Sequence, residues 1–166
     1  MRYVVDAPMV AHLWAHQSQD SARSGHNFYF EGKDIYSYGS HFRCASIETN
    51  QQGQRAYLVT TRTYSSTTAK HMGMVRHAIP CGARIFDTHR SVSLYNEKLS
   101  ENSYYESAYY IVDQVEKISE YIKAQQRSRT QNYTEQVEEC LLNIGRWIEF
   151  WGLDKRQKST TGRWLM

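Results

Sequence analysis

Seven residues supply the side-chain types of phosphate chemistry: Tyr36, Tyr38 and His41 in one run, and Arg62, Tyr64, Lys70 and His71 in another. A histidine can act as general base, a lysine or arginine can carry the charge developing on a phosphorane, and a tyrosine or second histidine can return a proton. That set is enough for cleavage of RNA without a metal. The same types also hold phosphates and stack on unpaired bases with no turnover, and each has ordinary structural uses. Two sets of candidates follow. His41, His71 and Tyr38 are the catalytic candidates; Arg62, Tyr64, Ser65, Thr67, Thr68, Lys70 and Tyr36 are the candidates for phosphate or nucleic-acid binding.

The stretch that must position them runs from Tyr57 to Pro80. Tyr57 to Arg62 is rich in β-branched and aromatic residues and predicts a strand. The hydroxyls from Thr63 to Thr68 can cap a helix that starts at about Ser66. Lys70 and His71 then fall in its first turn or so, with Met74, Val75 and Ala78 at core spacing and Pro80 ending it. The junction of strand and helix joins exposed amides, hydroxyls and cations, a combination suited to an anion and above all to a phosphate.

Before this stretch, Val4 to Trp14 reads as an extended segment followed by a short helix or strand ending near His16, and Gln17 to Gly25 as a polar loop. Asn27–Glu31 and Ile35–Tyr38 flank Gly32-Lys33-Asp34 as two strands around a tight turn. His41–Ile47 resumes the second strand or begins a third, and Asn50–Gln54 is a turn leading to the strand from Arg55. These segments predict an antiparallel meander of three or four strands. Ala83–Asp87 reads as one more strand and Thr88–Ser100 as a polar connection. Apolar residues then recur at steps of three and four, from Tyr104 to Ile122 and from Val137 to Trp151, joined by the hinge from Arg127 to Asn132. Two such stripes predict an antiparallel αα-hairpin. The fold class is α+β.

Charge divides the chain in the same way. Residues 1–96 hold ten Lys and Arg against six Asp and Glu, and all seven histidines; residues 97–154 hold six basic residues against eleven acidic; residues 155–166 carry four basic residues and none acidic. A basic, histidine-rich part, a helical part and a basic tail ending in Trp164-Leu165-Met166 are expected within one compact domain. A basic half is compatible with nucleic-acid binding. No apolar run approaches the ~20 residues that cross a bilayer, so no membrane partner is expected and the location read is cytoplasmic. Cys44, Cys81 and Cys140 have no CxxC pairing and read as buried or incidental thiols.

Other motifs are weaker. His12 and His16 lie four apart and would share a helix face, yet the run HLWAH lacks the glutamate of HExxH, and a zinc site there would need His26 or His41 as a further ligand. Packing around Trp14 is the reading adopted, with no metal and no cofactor. No glycine array resembles a P-loop, and neither Ser40 nor Ser65 sits in a GxSxG elbow.

Three blocks taken together resemble a family: His12-Leu13-Trp14-Ala15, Asn27 to Gly32 with Ile35 to Phe42, and Thr60 to Ser65 with Thr67 to His71. The family is an uncharacterised domain recurrent in phage and plasmid genomes, and the resemblance spans roughly residues 10–80. It implies a small intracellular protein of a mobile element, in the host cytoplasm if phage-encoded. Nucleic-acid handling and interference with host defence are common tasks of such proteins. The expected function is therefore a binding module for a nucleic acid or a host nucleoprotein complex, in concrete form an inhibitor of the anti-CRISPR type. The hairpin would supply a homodimer or partner surface. The alternative is a metal-independent nuclease or phosphodiesterase using His41, Arg62, Lys70 and His71.

Overall fold

The computed structural model describes residues 3–88 and 103–153, and the chain divides into two compact units between Tyr105 and Glu106. In the first unit seven strands form one sheet in their order along the chain. They are β1 (Tyr3–Val4), β2 (Ser21–Ser24), β3 (Phe28–Glu31), β4 (Asp34–Ser37), β5 (Arg43–Thr49), β6 (Arg55–Thr60) and β7 (Arg84–Thr88). Helix α1 (Ala7–His16) lies between β1 and β2 in sequence, and α2 (Ser66–Ala78) between β6 and β7.

Strands β2 to β6 are the antiparallel meander, five strands long rather than three or four. The outer pairs, β1 with β2 and β6 with β7, are parallel. In both cases a helix intervenes, and a helical crossover returns the chain to the sheet in its original direction. Strand β2 falls within the polar stretch read as a loop. Its weak β propensity is overridden by pairing on both sides, since Ala22 lies opposite Phe30 on one neighbour and Tyr3 on the other. The tight turn is as expected: Glu31 faces Asp34 across Gly32 and Lys33, and Gly32 has φ +54°.

Strand alternation sends Phe28, Phe30, Ile35, Ile47, Tyr57 and Val59 into one core with residues of both helices. Helix α1 starts at Asp6, whose Oδ1 accepts from the Met9 amide at 2.9 Å. It contributes Trp14, whose indole Nε1 donates to Lys33 O at 2.8 Å and whose ring meets Tyr57 edge-on. The Tyr57 hydroxyl in turn donates to Ala15 O at 2.7 Å. These bonds satisfy the polar ends of two large core side chains that would otherwise lose hydration uncompensated.

Helix α2 begins where its hydroxyls predict, but its buried stripe is Thr68, His71, Met72 and Val75, continued by Ile79 beyond its end. Met74 and Ala78, expected in the core, are half-buried at its margin. The helix is thus rotated so that His71 faces inward.

The second unit holds α3 (Ser103–Arg127) and α4 (Thr134–Trp151). Tyr110 stacks on Trp147 with ring centroids 4.1 Å apart, and Tyr121 on Tyr133 at 5.9 Å, an order reversed between the helices. Between them Ser128 Oγ accepts from the Thr130 and Gln131 amides. Val115, Ile122, Leu141 and Leu142 are exposed. Among the described residues no helix is long and apolar enough to cross a membrane. Most of the polar connection after β7 and the basic tail lie outside the described residues.

Candidate nucleic-acid interface

The site is built where the sheet ends. Strands β5 and β6 are antiparallel with Ala45 opposite Val59, so the bend from Tyr38 to Phe42 and the segment after Thr60 leave the sheet at the same end. A ring contact ties the two segments: Phe42, buried, meets Tyr64 edge-on at 5.2 Å and 74°. The Ser37 amide donates to Phe42 O at 3.0 Å and the Tyr38 amide to Asn27 O at 2.7 Å. Within the bend Tyr38 has φ +57° and Gly39 φ +99°. The left-handed region is unfavourable for a tyrosine and is held there by the surrounding bonds. At Gly39 a Cβ would lie 3.2 Å from His41 Nδ1, so glycine serves both the conformation and the approach of that ring.

Segment 61–65 then opens α2. Ser65 caps it, its Oγ accepting from the Thr68 amide at 3.2 Å and lying 3.1 Å from Thr68 Oγ1. No acidic residue stands in the first turn, so that turn itself sets no carboxylate against the positive end of the helix dipole. Arg62 and Lys70 are exposed, and among the described residues neither has an acidic partner. Arg43, by contrast, is buried and paired with Asp34 at 2.7 Å. Tyr64 is 68% and Tyr38 43% exposed.

His71 is different in kind. It is 8% exposed, its Nδ1 lies 2.8 Å from the Oγ of the fully buried Ser37, and its ring stacks on Phe28 at 4.3 Å. Burial pushes its pKa below the ordinary imidazole value. Tyr38 approaches the same ring at 6.3 Å.

The predicted residues therefore separate into three groups. Arg62, Tyr64, Ser65, Thr67 and Lys70 lie on or beside the start of α2, with Tyr38 and His41 on the neighbouring bend. His71 and Thr68 lie beneath them, turned inward, and the Thr68 hydroxyl is engaged by Ser65. Tyr36 is on the other face of β4, stacked on Tyr29 at 5.2 Å, and burial followed by the charge of Asp34 raises its pKa. Strand alternation puts it opposite Ser37, so it does not join the rim.

Sequence reasoning did not single out Ser37, Phe28 or Phe42. Ser37 stands two residues after Ile35 on the same strand face, and His71 four before Val75 on the same helix face. Those two spacings together were the available signal.

Among the described residues no group of three His, Cys, Asp or Glu side chains is placed to hold a metal ion. His12 and His16 are neighbours, with ring centroids 4.3 Å apart. Comparison with known protein families, with curated protein sequences and with solved structures finds no match to this chain.

Proposed function

We propose that the first unit is a binding module for a phosphate-bearing ligand, a nucleic acid or a nucleoprotein, held at the start of α2. The observation that carries this reading is that Arg62 and Lys70 are exposed without acidic partners among the described residues, at a helix start whose first turn holds no acidic residue, beside the exposed ring of Tyr64. Cations and helix amides meet phosphate oxygens, and an open aromatic face meets a base. The resemblance to a mobile-element domain extends the proposal to an accessory protein of such an element, acting on a host nucleoprotein such as a CRISPR effector complex.

Binding is preferred to turnover because of His71. A general base must reach the proton it removes, and this imidazole is buried against Phe28 with one nitrogen beside Ser37. The exposed apolar side chains of α3 and α4 support a further part of the proposal, a second copy or a protein partner meeting the helical unit. Light scattering over a wide concentration range tests the second copy, with a mass held at 19.5 kDa telling against it.

The test of the central reading is titration of labelled single-stranded RNA, single-stranded DNA and duplex DNA, with the same samples run afterwards on a denaturing gel. Binding with intact strands supports it. Shortened strands would restore the nuclease alternative, and no binding to any of the three would remove the nucleic-acid reading.

A further inference from the structure

A groove of about 860 Å³ runs between α1 and α2, lined by His12 and His16 from one helix and by Lys70, Gly73, Met74 and His77 from the other. Neither Asp nor Glu lines it among the described residues. On α2 the exposed residues Ser66, Lys70, Gly73 and His77 follow one another at steps of four, three and four, so they form a single face leading from the cap into the groove. That face is about 16 Å long at the helical rise of roughly 1.5 Å per residue. On α1, Pro8, His12 and His16 repeat at steps of four and are likewise exposed.

Gly73 is the informative residue. Glycine is among the least favourable residues in a helix interior, so it calls for a local reason. Packing within the protein does not supply one, since a Cβ at Gly73 would meet nothing within 4 Å and φ there is not positive. What the missing side chain leaves is an open floor midway between Lys70 and His77. A floor of bare backbone lets a strand lie close to a helix. Lys70 lines the groove with no Asp or Glu beside it among the described residues, and the three histidines offer ring nitrogens for hydrogen bonds, a lining that suits a strand carrying negative charge.

We infer that the groove between α1 and α2 is the continuation of the ligand track: a single-stranded polynucleotide bound at the cap runs along the Ser66–His77 face, over Gly73 and between the histidines. This rests on the binding reading given above. It adds a direction and a length, and takes the ligand to be a single strand, whose backbone can follow the Ser66–His77 face.

The test is fluorescence anisotropy with three-nucleotide and twelve-nucleotide single strands and a twelve-base-pair duplex, using the full chain and the variants Gly73→Leu and Gly73→Ala, with thermal melting of each. The unmodified chain should bind the longer strand more tightly than the shorter one and more tightly than the duplex. Gly73→Leu should erase the gain with length, a loss of about tenfold, comparable to one stacked base or phosphate contact, and leave the short strand unaffected. Gly73→Ala should melt no lower than the unmodified chain. Length-independent binding, or a Gly73→Leu variant that keeps the full gain, overturns the track while leaving the cap site standing. Absence of binding by the unmodified chain overturns both.

Discussion

Ser37 Oγ and His71 Nδ1 lie 2.8 Å apart with almost no access to solvent, joining the last residue of β4 to the second turn of α2. The bond does two things at once. It satisfies a hydroxyl and a ring nitrogen that are both buried, and it fixes the rotation of α2 that puts Lys70 and Ser66 outside.

Replacing His71 with Asn or Ala should therefore cost stability, about 1–3 kcal/mol for the orphaned hydroxyl alone, with more for Ala from the space left beside Phe28. The pH dependence carries a definite sign. Burial holds the native imidazole below its ordinary value of 6.5, so between the two values the unfolded chain binds more protons than the native one. The contribution of His71 is complete above about pH 6.5 and falls as pH drops toward the native pKa. Urea unfolding from pH 8 to pH 5 should show this decline in the natural chain and a shallower one in the variant; equal slopes would contradict it.

How far the sequence carried the fold follows from the range of each interaction. The start of α2 was legible because capping by Ser65 is local, and the β3–β4 turn because Gly32 and its neighbours determine it. Strand β2 was not, because small polar residues between Gln17 and Gly25 become a strand only through distant pairing with β1 and β3. The parallel outer pairs have the same cause. At the site, the meeting of the bend at Tyr38 with the segment at Arg62 was not legible, because it comes through β5, which lies between β4 and β6, and through the Phe42–Tyr64 ring contact. The inward turn of His71 was missed because a histidine read as a polar surface group hides a stripe that otherwise runs Thr68, Met72, Val75.

Gly39→Ala should destabilise the bend. Its φ of +99° lies where a Cβ is strained, and the added atom meets the His41 ring at 3.2 Å. A loss of about 1–2 kcal/mol in a denaturant titration is expected. The exposed His41 ring should shift in NMR spectra while His71 resonances stay in place.

Thiol chemistry should separate the three cysteines. Cys81 is exposed, Cys140 is buried, and Cys44 is buried with its thiol pushed up to about 12. A thiolate-selective reagent at pH 8 should modify Cys81 rapidly in the native protein and reach Cys44 only on unfolding. Fast reaction of Cys44 in the folded chain would contradict its place in the core.

The most direct measurement of the central claim is the salt dependence of single-strand binding by the natural chain and by the Arg62→Ala, Lys70→Ala double variant. Each phosphate contact contributes a slope of about −0.7 in log affinity against log salt for a single strand. Loss of two contacts should flatten the slope by about 1.4 and weaken binding, with melting temperature unchanged because neither cation has an acidic partner among the described residues. Binding that is insensitive to salt, or equally steep in the double variant, would contradict a phosphate site at the start of α2.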